Sequence, residues 1–169
     1  MLYLDTPLTV VSSHLSTQRA KTLLRKLTQG ILRCVLKNND MTENELAKLV
    51  IDLCIKIHKT LGPGLLESAY EECLAYELRQ RNISFQRQVS VPLVYEGVEL
   101  GEGFRADMVV EGKIIIELKS VAELQPVSYS QLLTYLRLTN IKLGLLINFG
   151  QRRMIDGIRR VVNGLSQEK

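Results

Sequence analysis

Two neighbouring stretches decide the fold: Phe104-Arg105-Ala106-Asp107 and, after a turn, Ile114-Ile115-Ile116-Glu117-Leu118-Lys119. Side chains in an extended strand alternate between two faces. In the second stretch the isoleucines and leucine at even positions therefore share one face, while Glu117 and Lys119 share the other. The pattern predicts a strand hairpin that is apolar on one side and charged at one end. The same alternation places Arg105, Asp107 and Val109 on a common face of the first strand.

The loop between these strands decides whether Asp107 meets Glu117. A two-residue loop at Glu111-Gly112 pairs Asp107 with Ile116, whereas a three-residue loop ending at Lys113 pairs Asp107 with Glu117. Two facing carboxylates repel unless a divalent cation binds between them, and Mg²⁺, with Mn²⁺ as a substitute, suits oxygen ligands. The sequence therefore predicts a metal site if the loop is the longer one or contains a bulge.

Lys119 follows Glu117 by two residues and so lies on the same predicted face. An ammonium there can orient a water molecule and stabilise negative charge that develops in a transition state. A glutamate and a lysine at this spacing are also typical of an ordinary solvated strand face. The companion Asp107 and the order of the surrounding elements favour the functional interpretation.

The elements around the hairpin predict an α/β fold with a central mixed sheet flanked by helices. Thr42, with Glu45 three residues later, predicts the start of a helix that ends near Leu61. The remaining predicted elements are a helix over 65–81 after Gly62-Pro63-Gly64, a strand around Val89–Leu93, a helix over 127–138, a buried strand over 142–148 and a closing helix over 152–162.

The 169 residues predict one domain, residues 41–169, preceded by a basic extension, residues 1–40. The extension carries six basic and two acidic residues of the chain's 22 and 18, so the remainder is neutral, with 16 of each. Apolar spacing predicts a helix from about Thr17 to Lys37 in it. Three roles stay open for it: a phosphate-binding arm, an appendage packed on the domain, or sequence upstream of a true start at Met41.

Histidine and cysteine are scarce, which limits the kinds of metal site available. Cys34, Cys54 and Cys73 are too far apart for a disulfide framework or a zinc knuckle, and buried reduced thiols are expected. With only His14 and His58, a metal must be held mainly by oxygen. No apolar run reaches membrane-spanning length, and no signal peptide is recognisable, so we expect a cytoplasmic protein without membrane association.

Several separated motifs resemble those of the GxxExxY family of bacterial proteins, which is assigned to the PD-(D/E)xK nuclease superfamily. They are Leu61-Gly62-Pro63-Gly64-Leu65-Leu66-Glu67-Ser68-Ala69-Tyr70, Gly101 to Asp107, Ile116 to Lys119 and Gln131 to Leu136. The resemblance implies a restriction-endonuclease-like core. It also implies that Glu67, Asp107 and Glu117 are metal ligands and catalytic residues, and that Lys119 is the catalytic lysine. Substrate-binding candidates are Tyr70, Gln131 and Tyr135.

One departure from the family pattern leaves the function open. Related sequences usually have His-Glu-Ala before the glutamine, whereas Ser128-Tyr129-Ser130 precedes Gln131 here. We therefore expect either a Mg²⁺-dependent nuclease that hydrolyses DNA, with RNA as the less favoured alternative substrate, or a nuclease fold used as a non-catalytic binding or assembly module. The sequence leaves open whether the chain forms a homodimer.

Two further groups of residues have functional and structural interpretations. His58 could reach the site, although a capping or packed histidine is the expected interpretation. The arginines of the predicted closing helix could contact phosphates or form a solvated face. They are Arg152, Arg153, Arg159 and Arg160.

Overall fold

The computed structural model describes residues 41–96 and 98–164. Three α-helices are described: α1 (Glu43–Leu61), α2 (Glu67–Arg79) and α3 (Pro126–Thr139). The strands are β1 (Phe85–Tyr95), β2 (Val98–Val110), β3 (Ile114–Lys119), β4 (Leu143–Asn148) and β5 (Ile158–Val162). Of these helices, none combines the length and apolar composition that crossing a membrane demands. The predicted extension over residues 1–40, with its helix, lies outside the described residues.

The strands form one mixed sheet in the order β1-β2-β3-β4-β5. Neighbouring strands are antiparallel except β3 and β4, which run parallel and are connected through α3. A parallel pair needs such a crossover, because the chain must return to the same end of the sheet. The predicted α/β class and restriction-endonuclease-like mixed sheet are confirmed, with two helices preceding the first strand.

Helices cover both faces of this sheet. The larger apolar cluster joins α1 and α2 to one face, where Ile114, Ile116 and Leu118 of β3 lie. The smaller cluster joins α3 to the other face, where Ile115 lies. The alternation predicted for β3 is therefore confirmed, and it places Glu117 on the α3 face.

The start of α1 is fixed by the predicted capping box. The Thr42 hydroxyl accepts a hydrogen bond from the Glu45 amide at 3.2 Å, and Glu45 Oε2 accepts one from the Thr42 amide at 2.9 Å. Each side chain thereby satisfies a backbone donor that the helix leaves free. The helix α1 thus begins where the sequence predicts.

The predicted closing helix over 152–162 is wrong. A single 3₁₀ turn, Met154–Gly157, is followed by β5, which pairs antiparallel with β4. Three of the five residues in β5 are β-branched and favour extended backbone. Pairing with the exposed edge of β4 satisfies that preference, and the apolar spacing alone did not distinguish the two structures.

Candidate active site

The hairpin of β2 and β3 has the three-residue loop that the metal-site prediction requires. Met108 pairs with Ile116 and Val110 with Ile114, so the register places Asp107 opposite Glu117. The Lys113 amide closes the loop by donating to the Val110 carbonyl at 3.0 Å. Glu111 and Gly112 both adopt left-handed φ angles, of 52° and 64°. The two acidic residues therefore stand on adjacent strands at the same level.

The side-chain alternation of β2 breaks at Asp107. Ala106 and Val109 belong to the same apolar cluster on the α3 face, although they are an odd number of positions, three, apart in the sequence. Met108, between them, packs on the opposite face with α1 and α2. The prediction that Arg105, Asp107 and Val109 share one face is therefore wrong, because a regular strand cannot place Ala106 and Val109 together. Asp107 lies at this break in the alternation, which is called the bend.

Asp107 is half-buried and held by the neighbouring strand. Its Oδ2 accepts a hydrogen bond from the Leu118 amide at 2.8 Å. Burial raises the pKa of the Asp107 carboxyl above its usual value, and the charges of Glu71 and Glu67 add to the increase, while Leu118 and Lys119 oppose it. Two glutamates thus act electrostatically on one partly desolvated carboxylate.

Glu117 is the least satisfied polar side chain of the site. It is only 4% exposed, and its Oε1 accepts a hydrogen bond from Lys119 Nζ at 2.7 Å. Its Oε2 is the one buried side-chain oxygen or nitrogen in the described part of the chain that has no hydrogen-bond partner. Burial raises the pKa of the carboxyl, and the charge of Asp107 raises it further. A free buried oxygen of this kind is suited to a ligand.

The Lys119 side chain remains protonated although it is partly buried. Desolvation opposes its charged form, but the hydrogen bond to Glu117 and the charges of Glu117, Asp107 and Glu67 together raise its pKa. The ammonium is therefore protonated throughout the physiological range of pH. It can donate hydrogen bonds and stabilise negative charge but cannot act as a base there.

Glu67 approaches the end of β3 from another element. It is the first residue of α2, and its Oε1 accepts a hydrogen bond from the Ser120 amide at 3.0 Å. The Ser120 hydroxyl donates to the Leu65 carbonyl at 2.7 Å. These two bonds join the N-terminus of α2 to the residue that follows Lys119. Glu67 also contributes to the electrostatic environment of Asp107 and Glu117.

These three carboxylates are chemically suited to a divalent cation, although their side chains are not arranged as a coordination shell. In residues 41–96 and 98–164, no three acidic, histidine or cysteine side chains stand close enough together to hold a metal ion. Each of the three instead directs one oxygen to a protein donor. The unpaired Oε2 of Glu117 and the all-oxygen donor set nevertheless fit a hard cation.

Tyr135 and Gln131, two of the substrate-binding candidates, lie on α3 and face the acidic pair. Burial raises the pKa of Tyr135 to about 12, and the charges of Glu117 and Asp107 contribute, while its hydrogen bond with Gln131 opposes the shift. The Tyr135 ring also packs against Phe104, with 5.1 Å between ring centroids. Gln131 is partly exposed, so it is the member of the pair that solvent reaches.

Tyr70, the third candidate, is fully buried. Its ring stacks on Phe149 with centroids 4.1 Å apart, and its hydroxyl donates to the Gly62 carbonyl at 2.6 Å. The hydroxyl also accepts a hydrogen bond from the Leu65 amide at 3.2 Å. Tyr70 thus fixes the loop that leads into Glu67, and direct contact with a substrate would require this loop to open.

Asn148 is a positioning residue that the sequence analysis did not single out. Fully buried at the end of β4, it pairs in register with Lys119. Its amide donates to the Val121 carbonyl at 2.8 Å, while its oxygen accepts from the Val121 and Gly150 amides, both at 3.0 Å. A Cβ at Gly150 would lie 2.3 Å from the Val121 oxygen, so glycine is required there. This clamp fixes the chain immediately after Ser120.

Glu71 was also missed, although its position one turn after Glu67 was a usable signal. It is only 6% exposed, and it accepts hydrogen bonds from the side chains of Arg87 and Gln88. Its charge contributes to the raised pKa of Asp107. Residues four apart on a helix lie on the same side, so Glu67 and Glu71 both face the sheet.

Four of the weaker candidates, His58 and three of the arginines, have structural partners. His58 is buried, its Nε2 lies 2.9 Å from the Gln151 carbonyl, and its ring packs near Phe149, which confirms the packed interpretation. Arg153 forms an ion pair with Asp156 at 2.7 Å. Arg159 donates to the Asp156 carbonyl and Arg160 to Asn44. Cys54 is fully buried, and burial raises the pKa of its thiol.

Comparison with known proteins identifies the family to which the chain belongs. A family model of the PD-(D/E)XK nuclease superfamily matches residues 44–161, which include the whole sheet except the last residue of β5. Neither a curated protein nor a solved structure gives a significant match. Nucleases of this superfamily generally depend on a divalent metal ion. The chain, with an acidic pair and a lysine at the end of two central strands, belongs to the PD-(D/E)XK nuclease superfamily.

Proposed function

We propose that the chain is a Mg²⁺-dependent nuclease that hydrolyses phosphodiester bonds of DNA, with RNA as the less favoured alternative substrate and Mn²⁺ as a substitute ion. Membership of a nuclease superfamily supports the reaction class. The single observation that carries the proposal is the buried Glu117 carboxylate, whose Oε2 is unpaired beside Asp107 and Lys119. That the chain belongs to the GxxExxY family in particular is part of the same proposal.

Glu67, Asp107 and Glu117 are proposed to hold the cation. The raised pKa values of Asp107 and Glu117 reflect negative charge concentrated in a desolvated place, which a cation would relieve. When bound, Mg²⁺ would polarise the phosphodiester and lower the pKa of a coordinated water. The bonds from Ser120 to Glu67 and from Leu118 to Asp107 orient two of the carboxylates from the backbone.

Lys119 is proposed to orient the attacking water and to stabilise negative charge in the transition state. Its raised pKa keeps the ammonium protonated, so it acts as a hydrogen-bond donor. Gln131 and Tyr135 are proposed to bind the substrate together, as neighbouring residues of α3. Because Tyr135 is almost completely buried, Gln131 would make the direct contact and Tyr135 would orient it.

The test is cleavage of a panel of single-stranded, double-stranded and branched DNA and RNA in Mg²⁺ or Mn²⁺. We expect metal-dependent cleavage that is lost in Lys119→Met and Glu117→Gln. Lys142→Met is a matched control, because Lys142 immediately precedes β4 at the opposite end of the sheet and bonds to Asn140. No cleavage of any substrate, together with metal binding no stronger than in Asp107→Ala, would reject the proposal. Cleavage that survives both site variants would indicate a contaminant.

A second candidate is a nuclease fold that binds nucleic acid or assembles with a partner without cutting. Two observations favour it: the described carboxylates are not gathered around one point, and the buried Ser128 stands where related sequences have histidine. It predicts retention of labelled DNA or RNA in a binding assay without metal-dependent products. Products from the wild-type protein that disappear in Lys119→Met would exclude it.

A further inference from the structure

Gln88 has a backbone conformation that is unusual inside a strand. Its φ angle is 50°, in the left-handed region that residues other than glycine rarely adopt. The other non-glycine residues with positive φ in the described part of the chain lie in turns or at a helix end: Asn82, Glu96, Glu111 and Asn140. Such a conformation persists only where surrounding contacts enforce it.

The unusual residue stands opposite Asp107. Arg87 pairs with Met108 and Val89 with Ala106, so Gln88 and Asp107 occupy the same level of β1 and β2. The alternation of β2 breaks at this level, since Ala106 and Met108 pack on opposite faces of the sheet. Both strands therefore depart from the regular extended conformation at the same level, which is that of Asp107.

Glu71 holds the bend from α2. Its Oε1 accepts a hydrogen bond from Arg87 Nε, and its Oε2 accepts one from Gln88 Nε2 at 2.9 Å. Arg87 also bonds to Glu72 at 2.6 Å, so it is anchored to the helix twice. Consecutive side chains of a regular strand point to opposite faces. Arg87 and Gln88 reach the same carboxylate only because Gln88 leaves the regular conformation.

We propose that Glu71 and Gln88 are positioning residues that maintain the bend in β1 and β2 and thereby direct the Asp107 carboxylate toward Glu117. The inference rests on the proposed function, in which Asp107 is a metal ligand. Relaxation of Gln88 to ordinary extended backbone would restore regular alternation and alter the direction of the side chain opposite it. The Asp107–Leu118 hydrogen bond would then be lost.

The test compares Gln88→Ala with Gln88→Gly, because both remove the amide that bonds to Glu71. Alanine keeps the steric cost of a left-handed φ, whereas glycine adopts it freely. Gln86→Ala is the matched control, since Gln86 is an exposed glutamine of the same strand. Hydrogen exchange of the Leu118 amide reports the bond to Asp107 without requiring any enzymatic activity.

We expect Gln88→Ala to accelerate exchange at Leu118 and to reduce cleavage by about tenfold or more, with substantial recovery in Gln88→Gly. Thermal melting shows whether each variant is folded, and a merely structural role would predict losses of cleavage that follow Tm. Unchanged exchange at Leu118 in Gln88→Ala would overturn the proposal, as would altered exchange with unchanged cleavage. A wild-type protein without cleavage would reject the proposed nuclease function, while the exchange result would still decide the positioning role.

Discussion

Glu117 and Asn148 are buried polar residues on adjacent parallel strands, and their surroundings differ sharply. Asn148 uses its oxygen and its amide in three hydrogen bonds to the backbone of Val121 and Gly150. Glu117 has one oxygen on Lys119 and the other unpaired. One buried group is fully satisfied, whereas the other is half satisfied and carries a raised pKa.

The difference separates a structural role from a functional one. Buried polar groups are nearly always paired, because leaving one unpaired costs free energy. Asn148 obeys this rule and fixes the chain after β3, whereas Glu117 violates it beside two other carboxylates. The site therefore has an unpaired oxygen where the proposed chemistry requires a free ligand atom, and a fully hydrogen-bonded residue on the next strand.

The largest expected effect is on catalysis. Glu117→Gln retains the shape of the side chain but removes the charge, so we expect cleavage to fall by about 10³-fold. The fold should survive, because glutamine has the same size and its side-chain oxygen can still accept the hydrogen bond from Lys119. Initial rates under saturating Mg²⁺ measure the loss, and circular dichroism checks the fold. A loss of less than tenfold would remove Glu117 from the proposed site.

On the other strand the expected effect is on stability. Asn148→Ala removes three hydrogen bonds to the backbone of Val121 and Gly150, so the free energy of unfolding should fall by about 3 kcal/mol. Urea denaturation measures this change. Asn44→Ala is the control, because Asn44 is partly exposed and its side chain accepts a hydrogen bond from Arg160 at 2.8 Å. Equal losses in the two variants would contradict the clamp.

Metal addition should stabilise the wild-type protein specifically. At a free Mg²⁺ concentration tenfold above Kd, binding to the folded state alone contributes about 1.4 kcal/mol. Thermal melting with and without chelator measures this, and Glu117→Gln should show little response. If Mg²⁺ raises the Tm of both proteins equally, the ion binds elsewhere.

The smallest expected effect is on the pH dependence of stability without metal. The pKa values of Asp107 and Glu117 are raised in the folded state, so the folded protein binds more protons than the unfolded chain above the ordinary carboxyl pKa. Their contribution is present at low pH and is lost as the pH rises through the raised values. Urea denaturation across this range should show a weaker loss in Glu117→Gln than in the wild type. An equal slope would contradict the raised pKa of Glu117.

Local sequence rules predicted the hairpin and the cap of α1 because those features depend on neighbouring residues. The alternation of β3, the two possible loops and the capping box all follow from side-chain order within a few positions. The loop length itself was left open, since Glu111-Gly112 and Glu111-Gly112-Lys113 are both feasible turns. The observed register of β2 and β3 shows that the loop has three residues.

The remaining features depend on contacts between distant residues. The bend at Asp107 arises where Gln88 of β1 meets Glu71 of α2, and no periodicity within β2 encodes that meeting. Asn148 is recognisable as a clamp only when Val121 lies beside it. The error at residues 152–162 has the same origin, because pairing with β4 determined a structure that apolar spacing left ambiguous.

The most direct test of the central claim is a Mn²⁺ titration of the wild-type protein, Asp107→Asn and Glu117→Gln. Electron paramagnetic resonance detects the ion at each step and gives its binding affinity. If the two strand carboxylates share a cation, the wild type binds one ion tightly and each variant loses affinity by at least about tenfold. Equal affinity in all three proteins would contradict the shared site.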